Sequence, residues 1–231
     1  MVKDGLISRS PVRVFENAIN GGLHAGEIGL IAAAAGIGKT SVLVQIALDK
    51  LLQGKKVIHI SFTQDHDYVV AWYEDIFDQF IKRKNVENER ELKEEIIRNR
   101  MLLNFNQEGV TTDIIRKSLK AMIIEGGYKA EAIIIDGFDF SIANRERIAT
   151  LKEFAKELGF YVWYSCSVKD GNYDKKNIPN EIKDFEDCID VVIDLEAKGD
   201  CVSLYLVKNH GKYLHEYEPL RLDPKTLLIL E

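Results

Sequence analysis

Gly38, Lys39 and Thr40, in the stretch AAAAGIGKTS at 32–41, are the residues of this chain best suited to phosphate chemistry. A glycine-rich turn that opens a helix aims successive backbone N–H groups into one concavity, and the positive end of the helix adds to it. Ala35, Gly36, Ile37, Gly38, Lys39, Thr40 and Ser41 would form such a cradle for a nucleotide. Lys39 would reach the outer phosphates, and the Thr40 hydroxyl would join a magnesium shell. The usual pattern G-x-x-x-x-G-K-[ST] begins with glycine, whereas Ala33 stands at that position here. If the position needs a left-handed backbone, alanine costs about 1–2 kcal/mol; if it does not, the cost is close to nothing. The sequence leaves both open.

A second feature belongs with the first. Ile133-Ile134-Ile135-Asp136 ends an apolar run on a carboxylate, 97 residues beyond Lys39. Such a carboxylate commonly caps a strand, but beside a phosphate loop it is a candidate to hold Mg2+ through water or to orient Thr40. Hydrolysis would also need a group to position or deprotonate water. Gln64 and Asp65, after the apolar run KVIHISF, are the candidates: Gln64 could orient water but is a poor base, and Asp65 has the charge. His66 reads as a surface residue.

These residues need a scaffold. EIGLIAAAA (27–35) reads as a buried strand and Lys39 to about Leu52 as a helix with a broad apolar face, stopped by Gly54. KVIHISF (56–62), MLLNF (101–105), AEAIIID (130–136) and FYVWYSC (160–166) read as further strands, with helices expected over about 68–100, interrupted near Lys84 and Asn85, over 111–124 and over 145–158. CIDVVIDLE (188–196) and CVSLYLVKN (201–209), separated by AKGD, suit two adjacent strands and a tight turn. Residues 12–20 read as a short edge element and turn, GGLHAGE (21–27) as a flexible approach to the core, KDGNYDKKNIPN (169–180) as a long polar loop, and LHEYEPLRLD as a closing edge strand. The alternation predicts a three-layer α/β fold with a mainly parallel central sheet and late antiparallel strands. One domain over 1–231, with 1–20 as a lead-in, is the expected organisation.

Composition sets limits on function. With 46% hydrophobic and 29% charged residues, the 231-residue chain has the make-up of an ordinary globular protein, and its net charge of -6 argues against a broad basic nucleic-acid surface. Cys166, Cys188 and Cys201 lack ligand spacing and disulfide density, so free thiols in a reducing compartment are expected. The chain shows neither a secretory signal at its start nor an apolar run of the roughly 18–20 residues that span a bilayer, so a cytoplasmic location without membrane attachment is expected.

Over most of its length the pattern resembles the RecA-like P-loop ATPases, nearest the group of the circadian-clock ATPase KaiC, the RadA proteins and the DnaB-type helicases. GGLHAGEIGLIAAAAGIGKTSVLVQIA (21–47) is similar to their entry to the nucleotide site, AIIIDGFDF (132–140) to their Walker B segment, and CIDVVIDLE and LYLVKNHG to two late strands. The resemblance implies a RecA-like fold, binding of ATP with Mg2+, slow hydrolysis, and homo-oligomeric, hexameric ring assembly. It also implies a K-x-R element given across a subunit interface to a neighbour's nucleotide. Lys208 keeps the first cation of that element, but His210 replaces the arginine and cannot make the same bidentate fork. Where the clock group carries paired glutamates, Thr63 and Gln64 stand here, with Asp65 displaced by one. Two other readings stay open: a nonhydrolytic nucleotide-sensing or interaction module, and a DNA-translocating ATPase whose Lys169, Lys175 and Lys176 touch nucleic-acid phosphates.

Overall fold

The structure, a computed structural model, describes residues 11–62, 66–84, 89–106, 109–169, 172–199, 201–214, 219–223, 225–226 and 228–230. Gln64 and Asp65 lie outside the described residues. The elements run in the order α1 (Pro11–Ala18), β1 (Ile28–Ala33), α2 (Lys39–Leu52), β2 (Val57–Ser61), α3 (His66–Lys84), α4 (Glu89–Asn99), β3 (Arg100–Asn104) and α5 (Thr112–Lys120), which runs into a π turn at Ala121–Glu125. Then follow β4 (Ala132–Asp136), α6 (Arg145–Leu158), β5 (Tyr161–Ser167), β6 (Val191–Lys198), β7 (Cys201–Asn209), β8 (Lys212–Tyr213) and β9 (Leu220–Leu222). Short 3-10 segments at Phe140–Ile142 and Asn180–Cys188 flank the ends of β4 and β5.

One mixed sheet holds these strands in the order β3-β2-β4-β5-β1-β6-β7-β8, with β9 also on β7. From β3 through β6 neighbours are parallel, and β7, β8 and β9 join antiparallel. The central strands are buried on both faces, as their continuous apolar runs require. Alternate residues serve opposite layers: Ile134, Ala132 and Trp163 pack with α1 to α4, whereas Ile133, Ile135 and Tyr164 pack with α5 and α6. This is an α/β fold, a mixed sheet flanked by helices, with a topology consistent with RecA-like and Rossmann-type proteins.

Two expectations need correction. Residues 12–20 are mostly helix, not an edge element: Val12, Phe15 and Ile19 recur at helical spacing and are buried on the sheet. Pro11 sits at the first helical turn, where its missing N–H costs nothing, and Arg13 pairs with Glu16 one turn on at 2.8 Å. GGLHAGE is a hydrogen-bonded turn: Glu27 N donates to His24 O at 2.9 Å, His24 N to the Glu27 carboxylate at 2.7 Å, and Gly26 N to Phe160 O at 2.8 Å. The closing segment does form an edge strand at Leu220–Leu222. No helix among the described residues is long and apolar enough to cross a membrane.

Close packing of β1 on β5 depends on Gly29, which lies opposite Trp163 in the parallel register. A Cβ there would stand 2.4 Å from the indole ring, which is itself buried. Gly29→Ala should therefore destabilise the fold by about 1–3 kcal/mol through overpacking, read as a lower urea midpoint with an unchanged slope.

Candidate functional site

The glycine-rich turn at residues 34–38 lies at the C-terminal end of β1, where a parallel sheet with helices on both faces leaves a crevice. Ala33 is the last residue of β1, fully buried, paired with Ser167 and bonded through its carbonyl to Val168 N at 2.9 Å. Left-handed backbone among the described non-glycine residues occurs at Asn20, Asn177 and His210, so Ala33 has an ordinary strand conformation and alanine carries no backbone penalty. The left-handed turns fall instead on Gly36 (φ 79°) and Gly38 (φ 113°), which are glycines. Gly38 caps the N-terminus of α2, so Lys39 and Thr40 occupy its first turn.

Lys39 folds back over the loop. Its Nζ donates to Ala34 O at 2.8 Å and to Ala33 O at 3.1 Å, and the residue is buried. Burial pushes the ammonium below its ordinary pKa, while the negative charge of Asp136 and, less, the Cys166 thiol oppose that shift. A cation held by neutral carbonyls in a half-dry site is poised to exchange them for an anion.

Asp136 is brought to Thr40 although its strand, β4, is not a neighbour of β1. β5 lies between them, and the equal advance of parallel strands carries β4 to the same edge of the sheet. Thr40 Oγ1 donates to Asp136 Oδ2 at 2.7 Å. The other oxygen, Oδ1, accepts from Ser165 Oγ at 2.5 Å, and Ser165 Oγ in turn accepts from Gly137 N at 2.8 Å. A hydroxyl and a carboxylate at this distance are hard oxygen donors of the kind that suits Mg2+. Ser165 did not emerge as a site residue from the sequence, though a hydroxyl in the buried run FYVWYSC was a usable signal.

The other sequence candidates are dispersed. Lys208 pairs with Val192 near the start of β6, at the sheet edge opposite the loop. Its buried ammonium donates to Glu186 O at 2.6 Å and Ile189 O at 2.7 Å, and desolvation lowers its pKa. His210 turns toward Glu27 at 3.1 Å. Lys176 is paired with Glu186 at 3.0 Å and covers the Tyr213 ring, so it does not extend a basic track. Lys169 lines an open cleft of about 780 Å3 beside Gly137, Phe138, Cys166, Glu181 and Phe185. Burial pushes the Cys166 thiol up to about 12, which keeps it unreactive. Asp194 was also missed: it lies beside Ala32 in the β1–β6 register and accepts from Tyr173 Oη at 2.7 Å, tying the long polar loop to the sheet.

No family model matches the chain. A local likeness links it to the DNA repair protein RadA of Aquifex aeolicus (strain VF5), 48% identical over 46 residues, which is 20% of this chain and 10% of RadA. The chain thus matches about a tenth of that relative's length. The likeness supports the RecA-like P-loop superfamily in general, and with it a nucleotide-binding protein, without favouring the KaiC or DnaB group.

Ser165→Ala removes the acceptor of Gly137 N and one donor to Asp136, so a loss of about 1–3 kcal/mol in stability is expected from chemical denaturation. Asp194 gives a pH effect. Burial raises its carboxyl to about 6, against the lowering by Tyr173, from about 3.9 in an unfolded chain. The native state then holds the extra proton, so this group's destabilising contribution is full above about pH 6 and fades toward pH 4. Asp194→Asn should raise stability at pH 8 by up to about 2 kcal/mol, and the gain should vanish by about pH 4 in parallel melts.

Proposed function

We propose that this chain binds ATP with Mg2+ through residues 35–41 and hydrolyses it slowly. The observation that carries this reading is the 2.7 Å bond between Thr40 and Asp136 beside the inward-folded Lys39. Backbone N–H groups from Ala35 to Ser41 would bind the phosphates, and Lys39 would leave the Ala33 and Ala34 carbonyls for the outer phosphate oxygens. Thr40 and Asp136 would hold Mg2+, which when bound supplies charge neutralisation at the outer phosphates. Ser165 would keep Asp136 oriented by occupying its second oxygen. Gln64 or Asp65 would orient the attacking water. KaiC-like self-assembly into a hexameric ring belongs to the same reading through the resemblance.

A nonhydrolytic nucleotide-sensing module is the second reading, favoured by the inward bonds of Lys208 to Glu186 and Ile189 carbonyls. An ammonium spent inside its own subunit is costly to redirect to a neighbour's nucleotide. Translocation along DNA draws less support, since Lys176 is already paired. The RadA likeness supports nucleotide binding under either main reading.

Calorimetric titration with ATP and MgCl2 is expected to show one site per chain, weakened at least about tenfold by Lys39→Ala. Asp136→Asn should abolish the magnesium dependence of turnover. Binding that persists while phosphate release is insensitive to both substitutions would leave the nonhydrolytic module, and no ATP binding at all would sink both readings.

A further inference from the structure

At the sheet edge opposite the phosphate loop, two turns bring His24, Glu27 and His210 together. One ligand atom from each lies within 4.8 Å of the others. His24 and Glu27 share the turn before β1, whose two mutual hydrogen bonds fix their spacing. His210 stands at the β7–β8 turn in a left-handed backbone (φ 46°), followed by Gly211 in the same region (φ 82°). The two imidazoles face one another with ring centroids 6.1 Å apart.

The hydrogen bonding around His210 orients its ring toward the cluster. Asn209 Nδ2 donates to Ala18 O at 3.4 Å, which orients the amide so that Oδ1 faces His210 Nδ1 at 2.6 Å. That oxygen can only accept, so Nδ1 carries the hydrogen. Nε2 faces Glu27 Oε2 at 3.1 Å. An imidazole whose far nitrogen donates to a fixed carbonyl, with a carboxylate beside the near one, is the arrangement that orients a metal ligand.

We propose that His24, Glu27 and His210 bind a divalent transition-metal ion of the zinc class. His24 and His210 supply ring nitrogens, Glu27 a carboxylate oxygen, and the exposed side of His24 leaves a fourth position to water. A tetrahedral ion with bonds of about 2.0–2.1 Å separates its ligands by about 3.3 Å, so the cluster must contract modestly, and the exposed His24 side chain is free to do so. Two imidazoles and a carboxylate favour this class over Mg2+ or Ca2+. The ion would pin the turn before β1 to the last hairpin, independently of nucleotide at the far edge.

The test uses untagged full-length protein stripped with chelator and titrated with Co(II) and Zn(II), following visible absorption and heat. One equivalent of Co(II) should bind with ligand-field bands of a nitrogen and oxygen site and no thiolate-to-cobalt charge transfer. His24→Ala, Glu27→Gln and His210→Asn should each weaken binding at least about tenfold. His24 is exposed, so its substitution probes the site without burdening the fold, and asparagine tolerates the left-handed backbone at 210. Thiolate charge transfer, affinity unchanged in the His24→Ala protein, or no stoichiometric binding would each overturn the proposal.

Discussion

The carboxylate of Asp136 is where three separate segments of this chain meet. One oxygen takes the Thr40 hydroxyl from the start of α2, the other takes the Ser165 hydroxyl from β5, and β4 carries the carboxylate itself. A buried carboxylate is costly unless its oxygens are bonded, so each of these contacts constrains the register of the strand behind it. The next backbone N–H, of Gly137, is spent on Ser165. A one-residue slip of β4 would turn Asp136 into the opposite layer and strand both hydroxyl partners.

The glycine-rich turn after β1 depends on the same scaffold in a different way. Its curvature comes from left-handed glycines at 36 and 38, and its rigidity comes from Ala33, which is still part of the sheet. Residues 32–35 are all alanine, and Ala32 and Ala33 are fully buried in β1. Lys39, in the first turn of α2, folds back onto the Ala33 and Ala34 carbonyls.

The opposite edge of the sheet has its own chemistry. Parallel strands send all their N-terminal ends there, so the turn before β1 and the β7–β8 hairpin come into contact although 183 residues separate Glu27 from His210. Lys208, two residues before, is consumed by the Glu186 and Ile189 carbonyls just before β6. The last hairpin is thereby bound to the rest of the chain by a lysine and a histidine.

Local chemistry along the chain was enough to read the strands, the α2 helix and the glycine turn, because each rests on periodicity or on a motif whose parts are contiguous, whereas the approach of Asp136 to Thr40, one of two roles open for that carboxylate, comes from strand order. AKGD between two apolar runs likewise announced the β6–β7 hairpin. Residues 12–20 were misread as an edge element because Val12, Phe15 and Ile19 are too few to separate helix from strand without the sheet they cover. Whether Ala33 mattered was undecidable from residue type, since the penalty depends on φ, and φ follows from the pairing of β1 with β5 and β6. Ser165 and Asp194 gained their partners from strand order, and Lys208 lost its freedom to carbonyls about 20 residues away. Sequence by itself determined which groups are available for chemistry; the tertiary structure decided which of them meet, because proximity across a sheet is set by register and topology and not by distance along the chain.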